Sequence, residues 1–379
     1  MQNYDIRITT ATGVEAAVKK ELRLLGFPET KALDGGISLR GTALDVARFN
    51  MFLRCADRVY IDLFSFTAET FDDLFDGVSS FDFGSILPFN AKILVNGKSK
   101  SSKLFALSAC QGVVKKAILS SLSRRYRKNI FPESGETYRF EFSLVHDVFT
   151  LSLNTSGDGL HKRGWRDLVG EAPLRETLAS ALLSYSDFSA ENPFCDPFCG
   201  SGTIVIEGAL RALNVAPGKL RSFDFVKWDF FDRDAYKTAL EEALDRETPD
   251  KKLRFYGFDI NPKAVSLATR HALRAGVKDH IHFQVQDVKD FRSPYPNGCI
   301  VTNPPYGERL LTEKEAYALY AVLSDVRDRL KNWSLFALTA APRFEKAFGR
   351  PADKRRKLFN SNIECCLYSY FKKQEAPKE

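Results

Sequence analysis

Residues 196–203 read D-P-F-C-G-S-G-T, and the way this stretch sits between its neighbours decides the fold. The residues leading into it, 194–196, end a strand-like run. Those that follow, 201–213, carry a helical spacing of apolar positions. A glycine turn that follows a strand and opens a helix marks a crossover in a parallel sheet. Gly200 and Gly202 let the backbone turn tightly and let a ligand come close. Amides at the helix start favour electron-rich ligand atoms. Taken alone, G-x-G is also an ordinary tight turn.

Downstream, strand-like runs at 254–259, 281–285, 299–303 and 334–339 alternate with helical runs at 234–246, 263–275 and 313–331. This is the β-α-β-α order of a doubly wound, mostly parallel sheet. Two last strand-like runs around Asn360-Ser361-Asn362 read as an antiparallel hairpin added to that sheet. A dinucleotide is disfavoured. Val205 stands where the third glycine of the fingerprint would be, and the next strand-end acid, Asp259, lies far beyond the ~20 residues expected. Asp196 also precedes the loop, where a carboxylate disfavours a pyrophosphate but suits a cation such as S-adenosylmethionine. Asp259 can accept both ribose hydroxyls and Asp287 an adenine amine, since ligands of such sheets lie at the carboxyl ends of strands. Each acid alone is equally readable as a helix N-cap.

The fourth strand runs into N-P-P-Y, residues 303–306. An exocyclic amine of a base is a poor nucleophile because its lone pair is delocalised into the ring. The Asn303 oxygen and the Pro304 carbonyl can accept its hydrogens and favour a tetrahedral nitrogen. Pro305 biases Pro304 to an extended conformation and so holds that carbonyl. Tyr306 offers a flat face for a splayed-out base. This chemistry needs neither a metal nor a covalent nucleophile. The alternative is a Pro-Pro turn with a packed tyrosine.

The first half has a different texture. Residues 4–9 alternate as a half-buried strand, and 13–25 form an amphipathic helix ended by Gly26. Residues 36–39 form a strand, and Thr42 caps a helix over 43–55. This order suggests an α+β unit of ferredoxin-like type. Strands follow at 58–66, 92–97, 136–145 and 148–153, the last two meeting at His146-Asp147, with a helix over 107–126. Residues 91–130 contain ten Lys or Arg and no Asp or Glu. A solvated helix end accounts for some of these, and a nucleic-acid patch accounts for them together. Lys98, Lys100, Lys103, Lys115, Lys116, Arg124, Arg125 and Lys128 are the candidate contacts.

The chain has 379 residues, a net charge of +7 and seven cysteines without regular spacing. No apolar run reaches the ~18 residues of a membrane span, and the first residues lack the shape of a signal peptide. Reduced core thiols favour the cytoplasm.

D-P-F-C-G-S-G-T, F-D-I-N-P and N-P-P-Y-G-E-R-L together resemble the class I S-adenosylmethionine-dependent methyltransferases that act on base amines. Three further stretches sharpen the likeness: S-G-D-G-L-H-K-R-G-W-R at 156–166, E-A-P-L-R-E-T-L-A at 171–179, and A-P-G at 216–218 followed by Trp228-Asp229. With these the chain resembles the bacterial 23S rRNA guanine-N2 methyltransferases of the RlmL/YpsC type. That resemblance implies a ferredoxin-like region at 1–57, a THUMP RNA-binding domain at 58–157 and a Rossmann-like methyltransferase domain at 158–379. It also implies S-adenosylmethionine as cofactor. The implied cofactor contacts are Asp196, Cys199, Gly200, Gly202, Thr203, Asp259, Ile260, Asp287, Val288 and Asn303, with packing as the alternative for Cys199. The implied catalytic residues are Asn303, Pro304 and Tyr306. Lys162, Arg163 and Arg166 read as phosphate or interdomain contacts, or as an exposed linker. The partner implied is 23S rRNA or a large-subunit assembly intermediate, with the oligomeric state left open. Two other readings remain: an N6-adenine methyltransferase on RNA or DNA, and a non-catalytic RNA-binding assembly factor.

Overall fold

Two seven-stranded sheets, one from each half of the chain, carry the fold. The computed structural model describes residues 3–33, 35–167, 174–306, 312–330 and 332–372. Residues 171–173 of the E-A-P-L-R stretch and 307–310 of N-P-P-Y-G-E-R-L lie outside the described residues.

The first half runs β1 (Tyr4–Thr9), α1 (Glu15–Leu24), β2 (Lys31–Leu33), β3 (Gly36–Gly41), α2 (Ala43–Phe52), β4 (Arg58–Thr67), α3 (Phe71–Ser79), β5 (Lys92–Lys100), α4 (Leu107–Tyr126), β6 (Thr137–Val145) and β7 (Val148–Asn154). Its sheet has the order β2-β3-β1-β4-β7-β6-β5. β4 pairs with β1 on one side and β7 on the other, so hydrogen bonding passes without a break from the first 57 residues into the next hundred. Local chemistry explains the elements. Thr42 and Asp45 form a capping box at the start of α2. β6 alternates buried and half-buried positions along its whole length. His146 and Asp147 both take positive φ, 51° and 62°, as the two-residue hairpin turn between β6 and β7 requires.

The second half runs α5 (Glu176–Tyr185), β8 (Phe194–Asp196), α6 (Thr203–Ala212), α7 (Arg233–Asp245), β9 (Phe255–Asp259), α8 (Pro262–Arg274), β10 (Ile281–Val285), β11 (Asn297–Thr302), α9 (Glu313–Arg329), β12 (Asn332–Thr339), α10 (Phe344–Phe348), β13 (Lys354–Asn360) and β14 (Ile363–Tyr370). The sheet order is β10-β9-β8-β11-β12-β14-β13. The first five strands are parallel, and β14 runs antiparallel to both β12 and β13. From β8 the chain winds outward through β9 and β10, then returns to the other side of β8 as β11. The order therefore reverses between β8 and β11, and ligand crevices of open α/β sheets form at such a point. No helix among the described residues is long and apolar enough to cross a membrane.

Polar and aromatic contacts, some of them fully buried, join the halves. Arg163 and Glu207 are 2% and 0% exposed and pair at 3.1 Å. The Arg163 guanidinium also donates to the carbonyls of Leu160 and Arg54, and Ser180 donates to Glu207. Arg48 on α2 makes a two-point pair with Glu242 on α7, at 2.9 and 3.1 Å. Trp228 stacks on Tyr138 with ring centroids 5.5 Å apart. Gly218 donates to the Met51 carbonyl, and a Cβ there would lie 2.8 Å from the Met51 Cα, so only glycine fits that approach. The A-P-G and Trp228 features of the sequence are thus joints between the halves.

Candidate active site

At the reversal point the sequence places an acid at the end of β8 and an asparagine just past the end of β11. Asp196 is buried, and its Oδ1 accepts the Thr302 hydroxyl at 2.6 Å and the Phe198 amide at 3.2 Å. Burial pushes its carboxyl up to about 7; these two hydrogen bonds oppose the rise and nearby Asp259 adds to it. Among the described residues no positive group pairs with this carboxylate.

The glycine loop is tied down at its middle to the end of β9. The Cys199 amide donates to the Phe258 carbonyl at 2.8 Å, and the Gly200 amide donates to Asp259 Oδ2 at 3.0 Å. Gly202 has φ of +83° and caps α6, while a Cβ on Gly200 would meet nothing within 4 Å. Among the described residues the space over Gly200 is therefore open, while Gly202 packs against Ala268. Asp259 uses its other oxygen on the Asn261 amide at 2.9 Å, so each oxygen keeps a lone pair for a further donor. Asn261, not Asp259, caps α8, with Pro262 as the first helical residue. Ile260, beside Asp259, is 69% exposed, an apolar surface at the crevice rim.

Asp287 lies two residues past β10, next to Asp259 through the bond from the Gln286 amide to the Asp259 carbonyl. It accepts the Lys289 amide and pairs with the Lys289 ammonium, both at 3.0 Å, and these hold it below the usual carboxylate range. Here the N-cap reading of an acid is realised, and one oxygen still faces a lysine that a ligand would have to share.

Several candidates turn away from the crevice. Cys199 is nearly buried, and burial, with Asp196 and Asp259 adding to it, pushes its thiol well above its ordinary range. Val288 packs in the core cluster that holds Phe258 and Phe291, and Thr203 is buried with its hydroxyl taken by Arg166 at 2.6 Å. Contacts from Cys199 and Val288 to a ligand would have to come through the backbone.

Asn303 stands beside Asp196 through Thr302, its chain neighbour. Its Oδ1 is buried and has no hydrogen-bond partner among the described residues. A buried unpaired acceptor costs about 1–3 kcal/mol; Asn303 Oδ1 is one of several such side-chain atoms among the described residues, and it stands next to the residue that binds Asp196. Tyr306 is half-buried and packs against the core, its hydroxyl held by Asn360.

The basic candidates divide. Lys98, Lys100, Lys103, Lys116, Arg124, Arg125 and Lys128 are exposed. Lys98, Lys100 and Lys103 lie by the start of α4, Lys116 midway along it, and Arg124, Arg125 and Lys128 at its end; 20 residues of helix separate the two ends by about 30 Å. Phe105, 80% exposed, sits with the first group. Lys115 is half-buried and paired with Glu133 at 2.7 Å, Lys103 pairs with Glu69, and Arg124 donates to the Ser79 carbonyl. Lys162 is exposed and pairs with Asp158 at 3.2 Å. Arg163 and Arg166 correct the phosphate expectation. Arg163 is locked against Glu207, and Arg166, 11% exposed, is held by Glu176 at 3.1 Å and by Thr203. A guanidinium sequestered this way has no face left for RNA. Arg163 takes the interdomain role, and Arg166 braces the start of α6.

Sequence reasoning missed Thr302, Tyr320 and Asn360. Thr302 adjoins a recognised motif and was within reach. Nothing local marks the other two.

Comparisons with known proteins agree with this layout. The sequence family described as "RMKL-like, methyltransferase domain" matches residues 163–369, and that described as "RlmL ferredoxin-like domain" matches residues 5–60. The chain is 41% identical over 98% of its length, and 97% of the relative's, to YpsC of Bacillus subtilis (strain 168), whose name offers RNA methyltransferase as a provisional activity. It is 33% identical over 96% of its length to the ribosomal RNA large subunit methyltransferase K/L of Psychromonas ingrahamii, and spans 49% of that protein. Among solved structures, SMU.472, a methyltransferase by its provisional name and crystallised with SAH, is 36% identical and superposes with a TM-score of 0.93 over 99% of this chain and 100% of its own. A Listeria monocytogenes protein named by prediction as an N6-adenine-specific DNA methylase is 39% identical, with a TM-score of 0.93 over 98% of this chain and 97% of its own.

Proposed function

The chain belongs to the RMKL-like methyltransferase family, S-adenosylmethionine-dependent RNA methyltransferases of the RlmK/L type, and from that membership we propose that it methylates the exocyclic N2 amine of a guanine in 23S rRNA.

The residues fit the cofactor. Asp196, buried and without a positive partner among the described residues, suits its ammonium group. The open space over Gly200 admits the ligand against the loop, and the free lone pairs of Asp259 suit two ribose hydroxyls. Ile260 and Asp287 would flank the adenine. When bound, the cofactor supplies a methyl group on a sulfonium, an electrophile that needs only a lone pair aimed at it.

This chain's part is to aim that lone pair. The Asn303 oxygen and the Pro304 carbonyl accept the two amine hydrogens and draw the nitrogen out of conjugation. The Tyr306 ring holds the base flat beside them. The buried Asn303 Oδ1, without a hydrogen-bond partner among the described residues, is the observation that carries the reading. Residues 58–157 act as the THUMP domain, and the exposed lysines and arginines beside α4 take the RNA backbone in the cytoplasm. Support for guanine comes from the family likeness of the whole chain and for large-subunit rRNA from the name of the K/L relative. An adenine amine would meet the same acceptors, and the Listeria relative's name keeps that base in the test. Methylating rRNA with the purified chain and digesting it to nucleosides separates the two.

A further inference from the structure

Neither Pro304 nor Pro305 has an N–H with which to fix its own turn. The segment is held by side chains from other elements. Tyr320, buried on α9, donates its hydroxyl to the Pro305 carbonyl at 2.7 Å and lies 3.3 Å from the Thr339 hydroxyl at the end of β12. Asn360, the last residue of β13, donates from Nδ2 to the Tyr306 hydroxyl at 3.1 Å, and the Cys365 thiol of β14 approaches the same oxygen at 3.8 Å. Asn303 Oδ1, in contrast, is left without a partner among the described residues. The groups that fix the loop are engaged, and the group that would meet the amine is not.

Burial keeps the Tyr306 phenol protonated, pushed up to about 12, so its hydroxyl is suited to anchoring and not to moving a proton near neutral pH. An aromatic ring fixed at both its Cβ and its hydroxyl cannot swing about χ1, and packing against the core limits rotation of its face about the remaining axis. We propose that Asn360 is a positioning residue of the active site, holding Tyr306 by its hydroxyl so that the ring face stays set beside the Asn303 oxygen for a flat heteroaromatic base. The inference rests on the reading of Tyr306 as the platform for the target base. It makes the C-terminal hairpin, otherwise the closing edge of the sheet, part of the substrate site. A displacement of about 1 Å in a reacting group can cost ~100-fold in rate, so a loosened ring should lower turnover by about ten-fold.

The test uses the full chain and a double-mutant cycle. Asn360→Ala should lower kcat for RNA methylation about ten-fold and leave the calorimetric Kd for S-adenosylmethionine unchanged. Asn360→Leu, which keeps the approximate volume and can neither donate nor accept, should do the same. Tyr306→Phe keeps the ring and removes the anchor point, so adding Asn360→Ala to it should slow it no further. Independent effects that multiply, or an Asn360→Ala enzyme of unchanged kcat, overturn the proposal. A second readout does not need turnover. The 13Cζ resonance of Tyr306, assigned by its loss in Tyr306→Phe, should move in both Asn360 variants, and an unmoved resonance overturns the anchor. A wild-type chain that methylates no RNA would instead contradict the reading of the site, with the resonance still deciding whether Asn360 holds Tyr306.

Discussion

The Thr302 hydroxyl donates to Asp196 Oδ1 at 2.6 Å, across the seam between β8 and β11 where the strand order reverses. One bond thus joins the cofactor end of the crevice to the residue that precedes Asn303. Thr302→Val keeps the shape and removes the donor. A hydrogen bond to a charged group contributes about 1.5–3 kcal/mol, so the variant should bind S-adenosylmethionine at least about ten-fold more weakly by calorimetry at pH 7. Equal affinity would detach Asp196 from cofactor binding.

Asp196 also sets a pH dependence. Its carboxyl lies at about 7 in the free chain, because of burial and in spite of its hydrogen bonds. A cationic ligand needs the carboxylate, so binding should expel a proton below pH 7. Affinity should fall as pH drops below about 7 and level off above it. The sign for stability is opposite. The folded chain holds a proton that the unfolded chain releases between the ordinary carboxylate range and pH 7, so the ligand-free protein loses this contribution as pH rises through that window. Titration calorimetry in buffers of differing ionisation enthalpy reads the proton directly. Cofactor affinity flat from pH 5.5 to 8 would contradict it.

Arg163, paired with Glu207 at full burial, reaches the Arg54 carbonyl of the first half. Removing one partner leaves the other charge stranded, which costs about 3–5 kcal/mol. Glu207→Gln should lower unfolding stability by about that amount in urea titrations, although neither residue is open to RNA. Replacing Lys162, which is exposed, should change stability little.

The basic surface predicts a different signature. Charge reversal at Lys98 and Lys116, or at Arg125 and Lys128, should weaken RNA binding and flatten its salt dependence, with log–log slopes reduced by about one for each phosphate no longer neutralised. Filter binding from 50 to 200 mM salt measures this. An unaltered slope would remove those residues from the interface.

What was legible in the sequence follows from the range of the forces involved. D-P-F-C-G-S-G-T and N-P-P-Y are local: glycine conformations, proline geometry and strand ends are written within a few residues, and Asp196, Gly200, Asp259 and Asn303 lie at or just past the carboxyl ends of neighbouring strands. Helix caps such as Thr42 and hairpin turns such as His146-Asp147 are equally local. Contacts between distant residues are not written there. Arg163 reads as one more basic residue in H-K-R-G-W-R, and only its partner 44 positions away makes it a buried joint. Tyr320 and Asn360 reach the N-P-P-Y turn from a helix and a hairpin with no pattern that announces them. A sheet running unbroken through β4 was likewise invisible, because pairing register between distant strands leaves no periodic trace.

The proposed function requires that Asn303 present its side-chain oxygen to a guanine amine of large-subunit rRNA. The direct measurement is transfer of labelled methyl from S-adenosylmethionine to unmodified 23S rRNA by the wild-type chain and by Asn303→Ala, with mass spectrometry of the nucleosides. N2-methylguanosine should form, and the variant should bind the cofactor normally while losing ~100-fold or more in rate. N6-methyladenosine as the product, or a variant that turns over as fast as the wild type, would contradict it.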